Sequence, residues 1–203
     1  MLYIYSILEL FGFLIYSSPV ILGAYSLARY LSKGGRFEII TLTFCISFLE
    51  VIAIFGILGI FGGLNLPMTF VSNFVIGGAL CCFFGSSVKS SLPPVRPFNL
   101  SERILLIIFF VGMARYLYGT TIQSGTDTYL YHFFYPATWI ADGRISRVPL
   151  LGLPHEYFPI YGEIFYGWMM IPFNNSSIAI FLQLILLLAI GSAFLMIGEI
   201  FDV

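Results

Sequence analysis

The chain has 203 residues, of which 59% are hydrophobic and 9% are charged. A soluble domain carries about 25% charged residues, so this composition and the mean hydropathy of +0.97 exclude an ordinary soluble domain and predict an integral membrane protein. The net charge of −1 and the absence of any nucleic-acid-binding motif argue against a nucleic-acid partner.

Five apolar segments are long enough to cross a membrane, since about 20 residues span a ~30 Å hydrocarbon core as a helix. They cover approximately residues 7–28, 39–61, 68–84, 104–122 and 178–197. The first segment lacks a basic leader and a small-residue cleavage site, so we expect it to remain as a helix. The predicted fold is all-α: one polytopic transmembrane helix bundle covering residues 1–203, with about five spanning helices.

Basic residues predict the orientation of these helices. Cytoplasmic loops are enriched in Lys and Arg, and six of the nine basic residues fall in the first and third connections: Arg29, Lys33, Arg36, Lys89, Arg96 and Arg103. Both connections are therefore predicted to be cytoplasmic, with Asn99 or Ser101 available to cap the fourth helix. The N-terminus and a long loop at 119–177 are then extracytoplasmic in a multi-pass protein of the cell membrane.

Two ionisable residues, Glu50 and Arg115, fall at membrane depth. Each lies about eleven residues beyond the inner end of its predicted helix, so both sit at a similar level. The sequence predicts either a pair between them or a neutral Glu50 that is hydrogen-bonded within the bundle, and the alternative is a direct role in substrate binding.

Small residues in the spans are interpreted as packing residues. Gly56, Gly59, Gly62 and Gly63 offer small faces for close helix contact. The three cysteines, Cys45, Cys81 and Cys82, lie in apolar runs without a histidine at metal-ligand spacing, so we interpret them as core residues.

The long loop contains five prolines, which exclude one continuous helix. In "PIYGEIFYGWMMIPF" apolar residues recur at three- and four-residue spacing, at Ile160, Ile164, Trp168 and Ile171. This stripe predicts a short amphipathic helix that rests on lipid in the interface. Glu163 would then lie on its polar, solvent-exposed side.

The loop also concentrates the polar chemistry of the chain. Asp127, in an aromatic setting at the membrane boundary, is a candidate general base, because partial desolvation raises the proton affinity of a carboxylate. The alternative role for Asp127 is the N-cap of a helix that starts at "TYLYHFF". His132 and His155 are expected either to form hydrogen bonds at the interface or to bind a ligand, and no metal-binding spacing is present.

The runs "GTDTYLYHFFYPATWIADGRI" and "PLLGLPHEYFPIYGEIFYGWMMIPF", followed by a new membrane helix, resemble the N-terminal part of GT-C superfamily glycosyltransferases. The closest branch is similar to protein O-mannosyltransferases and lipid A aminoarabinose transferases. The resemblance covers about residues 120–200. Two departures are that the acidic residue stands alone instead of in a pair, and that four helices precede it where many relatives have one.

The resemblance implies a polyprenyl-phosphate sugar donor and transfer to an extracytoplasmic acceptor. Asp127 matches the loop carboxylate that acts as base or orients the acceptor, and His132 and Glu163 match pocket-lining positions. We further predict that His132, Arg144 or Arg147 offsets the charge of the leaving phosphate, although lipid phosphates are alternative partners of the two arginines. No metal ligand is predicted, and metal dependence stays open.

Relatives of this kind have about eight to thirteen spanning helices, so the resemblance also implies that residues 1–203 are an incomplete enzyme, with a partner chain or a longer protein supplying further helices. Two alternatives stay open. One is a noncatalytic membrane subunit or assembly protein whose aromatic loop binds a partner or lipid. The other is a transporter fragment built around Glu50 and Arg115, for which no repeated arrangement is visible.

Overall fold

The computed structural model describes residues 2–32, 35–86, 100, 103–104, 107–108, 111–112, 133–146, 161–174, 178–179 and 182–201. Within these ranges the protein is all-helical. The helices are α1 (Leu2–Leu31), α2 (Arg36–Phe61), α3 (Leu66–Phe84), α4 (Phe134–Asp142), α5 (Tyr161–Met170) and α6 (Leu182–Phe201).

Three of these helices are long and apolar enough to cross a membrane: residues 8–31 of α1, α2 and α3. They indicate a membrane protein. A shorter apolar helix occupies Leu182–Gly198 within α6, close to the fifth predicted span. Most of the fourth predicted span lies outside the described residues, so the count of five spanning helices stays a prediction.

Polar side chains fix where α2 and α3 begin. Glu38 in the first turn of α2 accepts hydrogen bonds from the Gly35 N–H at 3.3 Å and from the Ser32 hydroxyl at 2.8 Å. Asn65 caps α3 by accepting from the Met68 N–H at 3.0 Å. Because backbone donors in the first turn have no partner inside their own helix, these acceptors start each helix two or three residues before the apolar run.

The helices α1 and α3 run parallel and in close contact, and α2 also packs against α6. Asn73 Nδ2 donates to the Tyr16 carbonyl at 3.3 Å, and the Ser26 hydroxyl lies 3.6 Å from Cys81 Sγ, so the numbering of both helices rises in the same direction. Thr41, near the start of α2, donates to Ser192, in the middle of α6, at 3.1 Å.

The close contact of α1 with α3 depends on glycines of these two helices. The glycines that the sequence pattern suggested lie in or just after α2 instead. A Cβ at Gly23 would lie 2.6 Å from the Gly77 Cα, so the two backbones touch there. Among the described residues, an added Cβ at Gly56 would have no neighbour within 4 Å, and Gly62 ends the helix with a φ of 78°. Gly59 packs against Ile145, outside the spans.

Pro19 lies in the middle of α1 without interrupting it. Proline has no N–H to donate to the carbonyl four residues earlier, which is that of Ile15. The Ser18 hydroxyl donates to this oxygen at 2.9 Å. A neighbouring side chain therefore supplies the missing hydrogen bond, which keeps this carbonyl satisfied inside the membrane.

The outward faces of the spans carry exposed Leu, Ile and Phe side chains, as expected where lipid replaces water. Cys45 and Cys82 are also exposed and Cys81 is partly buried, so their interpretation as core residues was wrong. They lie among lipid-facing apolar residues.

Candidate functional site

The helices of the long loop fold onto one end of the bundle; we call α4 and α5 together the cap. Backbone hydrogen bonds join the segment after α4 to the α2–α3 turn: the Leu64 N–H donates to the Gly143 carbonyl at 2.8 Å, and the Ile145 N–H donates to the Gly59 carbonyl at 3.0 Å. Gly143 has a φ of 69°, a left-handed conformation that glycine adopts without strain. These bonds attach α4 where α2 ends and α3 begins.

Aromatic contacts pack α5 against α1 and α2. The Trp168 ring lies 5.3 Å from the Phe13 ring and 5.2 Å from the Tyr16 ring, between centroids. Phe165 packs against Phe48 at 4.8 Å. Phe48 is thirteen residues before the end of α2, so α5 reaches about 20 Å into the bundle.

The prediction that α5 rests on lipid was therefore wrong. Ile164, Trp168 and Ile171 are all buried, with 3%, 7% and 5% of their surface exposed. The opposite side is buried as well, since Tyr166 and Met169 have only 8% and 1% of their surface exposed. An apolar stripe predicts that one face of a helix is removed from water. It does not show whether lipid or protein covers that face.

Glu163 lies in the first turn of α5, where the partial positive charge of a helix N-terminus favours a carboxylate. Its predicted exposure was wrong, because only 9% of its surface is accessible. A buried carboxylate in the aromatic cap is a stronger candidate for substrate contact than a solvated one. It can accept hydrogen bonds from hydroxyl groups or offset a positive charge.

The remaining predicted site residues divide into two groups. Arg144 is exposed just after α4, and its backbone N–H donates to the Trp139 carbonyl at 3.0 Å. The other residues, Asp127, His132, Arg147 and His155, lie outside the described ranges. Their proximity to Glu163 and Arg144 therefore stays a prediction.

A buried polar cluster at the α1–α3–α5 junction was missed by the sequence reasoning. The hydroxyl of Tyr16 lies beside Thr69 and Asn73, without a hydrogen bond of good geometry to either. Asn73 Oδ1 and Trp168 Nε1 also have no hydrogen-bond partner within the described ranges. The sequence carried a signal for this cluster, because Thr69, Asn73 and Gly77 recur at four-residue spacing on one face of α3.

An elongated apolar cavity of about 440 Å³ lies between α1, α2, α5 and α6; we call it the groove. On α2 it extends from Ile40 to Val51, a length of about 16 Å. The hydroxyls of Ser17 and Thr43, which line it, donate to carbonyls of their own helices, both at 2.7 Å. The groove therefore presents hydrocarbon to any occupant. Its residues are Phe13, Leu14, Ser17, Val20, Ile21, Tyr25, Ile40, Thr43, Phe44, Ser47, Phe48, Val51, Phe165, Trp168, Met169, Leu182 and Ile185.

Glu50 is buried in α2 with 8% of its surface exposed, and it does not line the groove. Neither carboxylate oxygen has a hydrogen-bond partner in the part of the chain that the structure describes. Arg115, its predicted partner, lies outside that part. No group of three or more metal-binding side chains occurs among the described residues.

No protein-family model matches the chain, and no curated protein or solved structure matches it either. The class that the described fold defines is an all-helical membrane protein with a helical cap at one end of the bundle.

Proposed function

We propose that the chain is a membrane glycosyltransferase, or the N-terminal part of one, that transfers a sugar from a polyprenyl-phosphate donor to an extracytoplasmic acceptor. The observation that carries the proposal is the groove, an apolar cavity about 16 Å long that reaches the cap. A prenyl chain is a linear apolar ligand, and burying it in a preformed apolar cavity is favourable because hydrocarbon contacts replace empty space.

In this proposal the lipid chain of the donor lies in the groove and its head group lies at the cap. Asp127 deprotonates or orients the acceptor hydroxyl, which attacks the anomeric carbon while the phosphate leaves with the bonding electrons. Arg144, Arg147 or His132 offsets the charge on that phosphate. Glu163 and His155 contact the sugar or the acceptor.

The alternative, a noncatalytic subunit whose aromatic loop binds a partner, receives less support from the packing. Trp168, an aromatic residue of this loop, packs inside the chain against Phe13 and Tyr16. A buried side chain offers no surface to a partner.

The proposal is tested by photocrosslinking in proteoliposomes with a polyprenyl-phosphate analogue that carries a diazirine on its chain. We expect the crosslink on peptides of α1 and α2. Ser47→Phe places a ring in the groove and should reduce crosslinking at least ~10-fold, since an overfilled cavity excludes the chain. Ala53→Phe is the matched control, because Ala53 lies on the same helix, is exposed and does not line the groove.

Equal crosslinking in the two variants would contradict the lipid-linked donor. Crosslinking that depends on the groove, without sugar transfer by a full-length protein containing this chain, would favour a lipid-binding subunit.

A further inference from the structure

Glu50 is the one acidic residue of α2 beyond its first turn, and it lies inside the membrane span. It is fourteen residues after Arg36 and eleven before Phe61, so more than about 15 Å of helix separates it from either end. Its carboxylate oxygens are buried without a hydrogen-bond partner among the described residues. An ionised carboxylate in such a place is strongly disfavoured, and such groups are neutralised by a counter-charge or by a proton.

The described helices that pack on α2 supply no counter-charge at this depth. The helices concerned are α1, α3, α5 and α6, together with α4, which contacts α2 through Trp139 and Phe55 and carries Asp142. Among Asp, Glu, Lys, Arg and His, α1 carries Glu9 and Arg29, α5 carries Glu163, α6 carries Glu199 and α3 carries none.

The described cations lie elsewhere. Arg29 is in the last turn of α1 and Arg36 begins α2, both about 20 Å along the bundle from Glu50. Arg144 is exposed beyond the opposite end of α2, and Arg103 is exposed as well. Arg29, Arg36 and Arg144 therefore lie near the ends of α2, away from the depth of Glu50.

We infer that Glu50 is a proton-binding site within the membrane, held as the neutral carboxylic acid. This inference is independent of the proposed transfer reaction, because Glu50 does not line the groove. A neutral acid differs from its amide analogue by little in size and not at all in charge. Glutamine should therefore replace Glu50 without loss, whereas an ion-paired carboxylate would leave its partner uncompensated.

The first test is modification by dicyclohexylcarbodiimide, an apolar reagent that dissolves in the bilayer. The acid transfers its proton to a carbodiimide nitrogen and its oxygen adds to the central carbon; the O-acylisourea then rearranges to a stable N-acylurea. The product contains both reactants whole, without a leaving group. We expect peptide mass spectrometry at neutral pH to find the adduct on Glu50 and not on Asp142, which is exposed.

The second test does not depend on reagent access. The full chain and its Glu50→Gln variant are melted in lipid nanodiscs, and we expect their Tm values to agree within about 3 °C. Arg115→Gln is melted in parallel, alone and combined with Glu50→Gln. A neutral Glu50 predicts that the effects of the two substitutions add.

An ion pair predicts a different result. Each single substitution would lower Tm by more than about 6 °C, and the double variant would recover part of that loss because no buried charge remains. That pattern, or a folded chain in which Glu50 stays unmodified while Glu50→Gln lowers Tm, would overturn the inference. Adduct formation on Glu50 together with an unchanged Tm in Glu50→Gln would support it.

Discussion

Asp127 has two predicted roles, and one substitution separates them. Asparagine caps a helix about as well as aspartate but cannot take up the acceptor proton. If Asp127 is the base, Asp127→Asn in a full-length reconstituted enzyme should reduce sugar transfer by at least ~100-fold without lowering the amount of protein in the membrane. Asp142→Asn is the control, because Asp142 is exposed and its carboxylate accepts a hydrogen bond from the Ser146 hydroxyl of the same loop.

Transfer that is retained in Asp127→Asn would leave Asp127 as a helix cap. Transfer lost equally in Asp142→Asn would point to a general effect of loop charge instead of a base at Asp127.

Asn65 is a single side chain on which the start of α3 depends. Its carbonyl oxygen accepts from the Met68 N–H, and loss of such a cap costs about 1 kcal/mol. We expect Asn65→Ala to lower Tm by about 2–4 °C, and Asn65→Asp to keep or raise it because a carboxylate also interacts favourably with the helix N-terminus. Thermal melts of both variants in one detergent check this, and a neutral Asn65→Ala would show that α3 begins without its cap.

At the scale of helices, hydropathy predicted α1, α2 and α3, because crossing a membrane requires only a long apolar run. The placement of α5 was not predictable in the same way. A stripe such as Ile164 and Trp168 has the same period whether it faces lipid or protein, and only the contacts with Phe13 and Tyr16 decide the question.

For the candidate site as well, some features could be predicted from the sequence and others could not. Residue chemistry identified Glu163 and Arg144 as candidates. It predicted that Glu163 faces solvent, because the sequence of one helix does not reveal which other helices pack over it. The partners of Asn73 likewise come from α1, more than fifty residues earlier in the chain, and no local pattern gives such a contact.

Close contact of α1 and α3 depends on the missing side chain of Gly77. A Cβ at this position would overlap the Pro19 carbonyl group, whereas the adjacent Gly78 has open space. Overfilling a tight contact costs about 1–3 kcal/mol, so Gly77→Ala should lower Tm by about 3–10 °C. Gly78→Ala should leave Tm unchanged or raise it slightly, since alanine is the better helix former. Equal effects of the two substitutions would mean that helix propensity, and not the α1–α3 contact, determines stability here.

At the scale of the whole molecule, the cap closes one end of a bundle that contains the groove. Two independent connections hold it: the backbone hydrogen bonds of Gly143 and Ile145 to the α2–α3 turn, and the insertion of α5. Because Phe165, Trp168 and Met169 of α5 also line the groove, any movement of the cap changes the shape of the groove. The loop and the spans therefore form one structural unit, and a ligand that fills the groove should also stabilise the cap.

Gly167 is the position at which a substitution should most easily separate the cap from the rest of the bundle. A Cβ there would lie 2.5 Å from the Phe55 ring and 3.3 Å from Pro136, so Gly167→Leu forces α5 away from both α2 and α4. Gly162→Leu is the control on the same helix, where an added Cβ meets nothing within 4 Å. We expect this substitution to destabilise the closed cap by about 1–3 kcal/mol. Trypsin should then cut after Arg144 about 5- to 150-fold faster in detergent, because the cleavage rate follows the population of the open form. Mass spectrometry of the fragments measures the rate at this bond, and equal rates in the two leucine variants would show that the cap is held by the Gly143 and Ile145 bonds alone.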